Sequence, residues 1–291
     1  MAVVLPRVEA GPGRLARAAT WMRRHPTVAA GSAILAVIAL AGIAAPLITP
    51  VDPLALDPVA SLLPPGAGHW FGTDHMGRDV FTRVIYGTRV SLIVAVSVAL
   101  AATVIGLFLG LVAGYLRRVD AVVMRIMDGL MAIPGVLLAI ALMAVMRASL
   151  TTVILAIMVP EIPRVVRLVR GVVLTLRELP FVEAAVVAGT QLPRILTAHI
   201  LPNALAPLIV QATYICASAI IIEAALSFLG AGTPPEVPSW GNIMAEGRGF
   251  FLIAPWLILF PGIWLTLTVL AINLLGDGLR DMLDPRLRRR M

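Results

Sequence analysis

The sequence predicts an all-α integral membrane protein with six transmembrane helices, and three observations carry that expectation. Of its 291 residues, 59% are hydrophobic and only 13% are charged, a composition outside the usual range of soluble domains. Apolar runs of about twenty residues, the length that crosses a hydrocarbon layer of about 30 Å, recur along the chain. The basic residues are also uneven. With six crossings, eighteen of the 23 fall on the side of both termini and only Arg78, Arg83, Arg89, Arg147 and Arg248 on the other. The positive-inside rule then puts both ends in the cytoplasm. The net charge of +7 follows from that topology, because no basic face with interleaved aromatic residues points to nucleic acid.

Residues 1–26 form a basic tail with Arg7, Arg14, Arg17, Arg23 and Arg24. The first helix is expected from Thr27 to Ile48. At about 22 residues it is too long for a typical signal core and reads as a retained anchor. In the loop 49–88, Pro50, Pro53, Pro58, Pro64 and Pro65 exclude a continuing helix. Its His69, Asp74, His75 and Asp79 match no compact metal spacing, and glycine turns with capping aspartates explain them more simply.

A core of five further helices occupies 89–276. The second helix is expected over Arg89–Tyr115, rich in the small residues that let helices approach closely in lipid. The third covers Ala121–Met146 and contains Asp128 and Pro134; Met124, Met127 and Met131 there have ordinary packing spacing. The fourth joins Leu150–Val159 to Val165–Leu176 through an irregular Pro160–Arg164 segment, in which Glu161 pairs with Arg164 or lines a route. The fifth runs over Ala204–Leu229 with Glu223 inside it, and the sixth over Phe251–Leu275. A basic tail, 277–291, follows.

Within the cytoplasmic loop 170–203, the stretch Pro180–Asn203 is too polar and interrupted to span. Pro180 suits a helix start and Gly189 a helix stop. Pro193 opens a second short helix, which Pro202 is expected to end. Phe181, Val182, Ala185, Val186 and Gly189 share one apolar face. That face is open to two readings: it folds back on the chain's own helices or lipid, or it docks in a groove on another subunit.

All basic residues are arginine. Without lysine there is no phosphate-binding loop of the Walker type and no Schiff base, so nucleotide hydrolysis must reside on another polypeptide. Cys216 is alone, so no intrachain disulfide forms. Asp128, Glu161 and Glu223 are candidates for a translocation path or for helix contacts, because carboxylates at membrane depth are costly. No catalytic, cofactor-binding or metal-ligating set emerges. His199 is expected to order the loop by hydrogen bonding.

Glu183-Ala184-Ala185, Gly189 and Leu201-Pro202 resemble the EAA loop of the permease subunits of binding-protein-dependent ABC importers. His199, where the general pattern has isoleucine, resembles the peptide and nickel branch. So do the Phe71-to-Asp79 string, the Leu226–Gly230 continuation and the Gly276-to-Arg286 ending. The resemblance implies a type I importer permease fold with a coupling helix formed around Phe181, Val182, Glu183, Ala184, Ala185, Val186 and Gly189, with His199, Leu201 and Pro202 completing the loop. It also implies a second related permease, two ATPase subunits or domains that hold ATP and magnesium, an extracytoplasmic substrate-binding protein and a peptide substrate. This chain would hold no cofactor itself and would sit in the cytoplasmic membrane. A nickel permease of the same family is the alternative. From another class, an ion-coupled secondary transporter would use Asp128, Glu161 and Glu223 as ion sites.

Overall fold

The computed structural model describes residues 25–283. The arginine-rich N-terminal tail and the Asp284-Pro285-Arg286 ending lie outside the described residues, apart from His25 and Pro26. Helix α1 (Pro26–Ile43) packs against the last long helix and the second. The expected helix to Ile48 is interrupted at Ala44, after which Ala45–Ile48 forms a separate short turn. Pro46 is the cause: it has no amide for the Gly42 carbonyl. Arg89 compensates, its Nε donating to Gly42 O and its Nη2 to Ile43 O.

Helix α2 (Val80–Tyr115) starts nine residues before the expected Arg89. Asp79 caps it, its Oδ2 accepting from the Thr82 amide at 2.8 Å. The added turns are stable because Val80, Thr82, Arg83 and Val84 are buried there. At 36 residues α2 is about 54 Å long, so it extends well beyond a bilayer core. The loop before it folds over this end of the bundle. Arg83 is fully buried and Arg78 nearly so, and both donate to Asp74 and to Glu246. His69 pairs with Asp79 at 2.9 Å, and His75 stacks on Phe250.

The third expected helix is two elements, α3 (Arg117–Met131) and α4 (Gly135–Val145), bent by 88°. Pro134 sits at the break and disfavours helix at Ile133 before it. In α5 (Leu150–Leu176) the opposite correction applies: the helix runs unbroken through Pro160 and Pro163, and the expected irregular segment is absent. Packing on both sides supports it. Gly106, Gly110 and Gly114 of α2 lie so close to Val165, Val169 and Val173 that an added Cβ would meet the valine Cβ atoms at 2.4, 2.7 and 2.6 Å. The four-residue spacing on both helices makes this a continuous parallel seam. Pro160 itself packs on Gly135 of α4.

After the loop, α6 (Pro180–Val187) leads through a helical turn at Leu192–Arg194 and a π-turn at Ile195–Ile200 into α7 (Leu201–Phe228). Helix α8 (Trp240–Gly247) is capped by Ser239, whose Oγ accepts from the Asn242 amide. Helix α9 (Trp256–Leu283) starts five residues later and ends eight residues later than expected. Its Gly276 and Gly278 are contact glycines rather than turn glycines: an added Cβ would meet Thr213 Oγ1 at 2.4 Å and Val28 Cγ2 at 2.2 Å.

Among the described residues, four stretches are long and apolar enough to cross a membrane, namely Pro26–Ile43, Val80–Tyr115, Leu192–Phe228 and Trp256–Leu283, and the bent α3–α4 pair is a fifth if taken as one span. The expected count of six also needs α5. It has the length, about 40 Å, but it carries Glu161, Arg164, Arg167 and Arg170.

Candidate functional site

The loop between α5 and α7 starts as the sequence suggests, with Pro180 in the first turn of α6, where a missing amide costs nothing. Glu183 lies in that turn as well, favourably placed toward the positive end of the helix dipole. The helix stops at Gly189, whose φ is +76°. Its amide donates to Val186 O at 2.9 Å, and the Thr190 amide donates to Ala185 O at 3.0 Å. That pair of bonds is a Schellman closure, which needs the left-handed residue that glycine supplies.

The single apolar face expected for α6 divides into two. Val182 is 1% exposed and packs with Val173, Ile195 and Ile200, holding the helix to its own chain, with Ala185 half-buried. Phe181 and Val186 are exposed, and Val187 is 84% exposed. The inner half therefore folds back on the chain's own helices, as the first reading has it, and the outer half is left uncovered. Val187 was missed in the sequence because it falls off the stripe drawn through Val182 and Val186. A short helix held by one buried residue leaves its other sides open.

Pro202 does not end the second helix, contrary to expectation. The widened turn Ile195–Ile200 precedes it, and the chain continues directly into α7. Proline disrupts an i to i−4 ladder, and a π-turn relaxes that register just before the proline. The Asn203 side chain adds a donor, its Nδ2 to His199 O at 2.8 Å. That acceptor is the main-chain carbonyl, which any residue at 199 would supply, and the His199 ring lies 6.5 Å from that of Phe181. The structure brings Phe181 and His199 together, with the half-buried Leu201 and exposed Pro202 at the base of α7.

The three candidate carboxylates have separate partners. Asp128 lies on α3, is 60% exposed, and accepts from Arg167 Nη2 at 2.6 Å. Glu161 is 2% exposed and takes Arg164 Nη1 on both oxygens, at 2.9 and 3.1 Å. Glu223 is fully buried, with Oε1 accepting from Ser227 Oγ at 2.9 Å and Oε2 without a partner among the described residues. A residue missed from the sequence joins the first of these: Asp120 accepts from Arg170 Nε and Nη2. Asp120 and Asp128 sit two turns apart on one face of α3, and Arg164, Arg167 and Arg170 recur every three residues on α5. That matched spacing was the available signal. Arg177 ends the row by donating to Gly114 O at 3.2 Å.

Residues 102–289 match the family described as binding-protein-dependent transport system inner membrane component. The chain belongs to that family. Residues 14–65 match a second family, the N-terminal transmembrane domain of oligopeptide transport permease C. A probable peptide ABC transporter permease protein of Sinorhizobium fredii is 54% identical over 92% of each chain. A dipeptide transport system permease protein of Alkalihalophilus pseudofirmus is 44% identical, over 92% of this chain and 88% of its own. Among solved structures, an inward-facing form of the MetNI methionine ABC transporter aligns with a TM-score of 0.56 at 21% identity, over 69% of this chain and 96% of that one. The last likeness concerns the fold alone. As an inner membrane component of a binding-protein-dependent system, the chain presents α6 as a short helix with exposed apolar side chains outside the apolar spans.

Proposed function

We propose that this chain is the membrane-spanning permease subunit of an ATP-driven importer that passes oligopeptides or dipeptides from a substrate-binding protein across the cytoplasmic membrane. The peptide and dipeptide permeases it resembles along nine-tenths of its length support the substrate class. The observation that carries the coupling role is the outer half of α6, where Phe181, Val186 and Val187 stand exposed on a helix fixed by Val182. Such a ridge suits insertion into a groove on an ATPase subunit. ATP and magnesium belong to two such subunits or domains, since a chain without lysine has no Walker loop. A second, related permease completes the pathway, and both termini and α6 face the cytoplasm. The ATPase site and the binding-protein site then bias the same two-state bundle.

Copurification tests the reading. Val187→Asp and Gly189→Arg alter the outer face and the closure of α6, and each is expected to strip the ATPases from the purified complex and abolish ATP-dependent peptide uptake. Unchanged copurification together with unchanged uptake would sink the coupling role. Uptake that persists in vesicles lacking ATP but holding an ion gradient would favour a secondary transporter instead.

A further inference from the structure

An apolar groove of about 450 Å³ runs between α1 and α2, lined by Ala39, Ile43, Ile93, Val96 and Ser97, with Arg89 at one end. Its walls face outward: Ile43 is 71% exposed, Ile93 51% and Val96 57%. Gly42 and Ala39 keep its floor low. An added Cβ on Gly42 would meet Thr88 Cγ2 at 2.9 Å, so the two helices touch there and close the groove's end beside Arg89.

Arg89 is a cation with spare donors. Its Nε satisfies the Gly42 carbonyl freed by Pro46 and its Nη2 the Ile43 carbonyl at the helix end, and its guanidinium carbon lies 5.5 Å from the Tyr86 ring centroid. No carboxylate among the described residues lies within ion-pair distance of it. Nη1 and one hydrogen of Nη2 therefore remain for an external anion. From Arg89 to Ser97 the helix advances eight residues, about 12 Å, close to the hydrocarbon depth of one leaflet, about 15 Å.

We propose that this groove binds one anionic phospholipid, its phosphate on Arg89 and one acyl chain along α1 and α2 toward Ser97. The position of Arg89 near the start of α2 puts the lipid in the outer leaflet if α6 faces the cytoplasm. An anionic headgroup fits better than a zwitterionic one because Arg89 carries a whole uncompensated charge, and a headgroup ammonium would offset part of the attraction. A helix from a second permease would fit only by bringing a carboxylate to Arg89, since covering that charge with apolar surface is costly.

Native mass spectrometry of the full-length chain, extracted in detergent and given equal amounts of phosphatidylglycerol and phosphatidylcholine, tests this. The wild type should retain one phosphatidylglycerol in preference. Arg89→Gln should lose that preference by about tenfold, the effect of one charge-assisted hydrogen bond. Val96→Trp, which fills the groove and leaves Arg89 in place, should lose the retained lipid, whereas Leu259→Trp on the exposed face of α9 should not. Added inorganic phosphate should not displace the lipid, since it lacks the acyl chain. Equal retention by wild type, Arg89→Gln and Val96→Trp would overturn the proposal, as would a photo-crosslinker at residue 96 that captures another polypeptide in membranes instead of lipid.

Discussion

At the scale of single residues, Asp74 holds one end of the molecule together. It is fully buried and takes Arg78 Nε and Arg83 Nη1, each at 2.7 Å, with Glu246 as the only other acid on these two guanidiniums among the described residues. Removing one member of a buried ionic cluster leaves uncompensated charge, so Asp74→Ala is expected to cost about 3–5 kcal/mol. A fall in the unfolding midpoint of the detergent-solubilised protein measures it, and an unchanged midpoint would contradict the account. At the other end, Gly189 is strained for any residue with a Cβ, although nothing lies within 4 Å of where that Cβ would go. Gly189→Ala should therefore cost about 1 kcal/mol through the backbone alone, read as faster proteolysis of the α6 loop with the melting temperature of the bundle unchanged. The two residues differ in how visible they were. Gly189 announces itself from its neighbours, because a helix stop is local chemistry. The Asp74 cluster depends on Glu246, which lies 163 residues beyond Arg83, and no local pattern reports that distance.

At the scale of elements, the seam between α2 and α5 is the largest helix contact, and small residues make it possible. Gly110→Leu would drive a side chain into Val169 Cβ and the Val166 carbonyl. Overpacking of this kind costs about 1–3 kcal/mol where side chains can yield, and more against backbone. The expected outcome is a large loss of monodisperse protein on size exclusion. Gly171→Ala on the same α5 meets nothing within 4 Å and should stabilise the helix by about 0.5–1 kcal/mol, so the pair separates packing from propensity. The sequence showed α2 to be rich in small residues without naming its partner. Prolines were legible only in part: Pro134 breaks its helix, whereas Pro160 and Pro163 do not. The residue type is the same in all three places. What differs is the neighbourhood, a junction between a charged helix and an apolar one at Pro134, and a helix braced by α2 and α4 at Pro160.

For the whole molecule, the arrangement of crossings makes a prediction that composition cannot replace. Among the described residues four helices are long and apolar enough to cross, the bent pair is a fifth if it is one span, and α5 is charged. If α5 crosses, Trp70 and Val187 lie on opposite sides of the membrane. With Cys216 replaced by alanine, a cysteine at residue 187 should react with an impermeant thiol reagent only in inverted vesicles, and one at residue 70 only in intact cells. Labelling of both from the same side would remove a crossing. The all-α membrane class was legible because hydrophobic runs are long and arginines are uneven. The helix ends were not, because α2 extends into a region whose polar residues are satisfied by distant parts of the chain, and α9 runs on where Gly276 and Gly278 pack against Thr213 and Val28. Arg83 is an example: a buried arginine reads as a loop residue until Asp74 and Glu246 are seen around it.

Helix α2 carries a further consequence. Helices α5, α7 and α9 each contain internal prolines, at Pro160 and Pro163, Pro207 and Pro261. Val80–Tyr115 contains none. It reaches without a joint from the Arg83 cluster to Gly114, whose carbonyl receives Arg177 at the foot of the α6 loop. Proline positions are where helices kink, and α5 is braced past its own by α2 and α4, so flexure is expected at Pro207 and Pro261 while α2 stays a mast. Spin labels near the two ends of α2 should keep a fixed separation through a transport cycle, and labels spanning the proline joints of α7 or α9 should not. On that expectation the bundle would move at two prolines and take its frame of reference from a helix that has none.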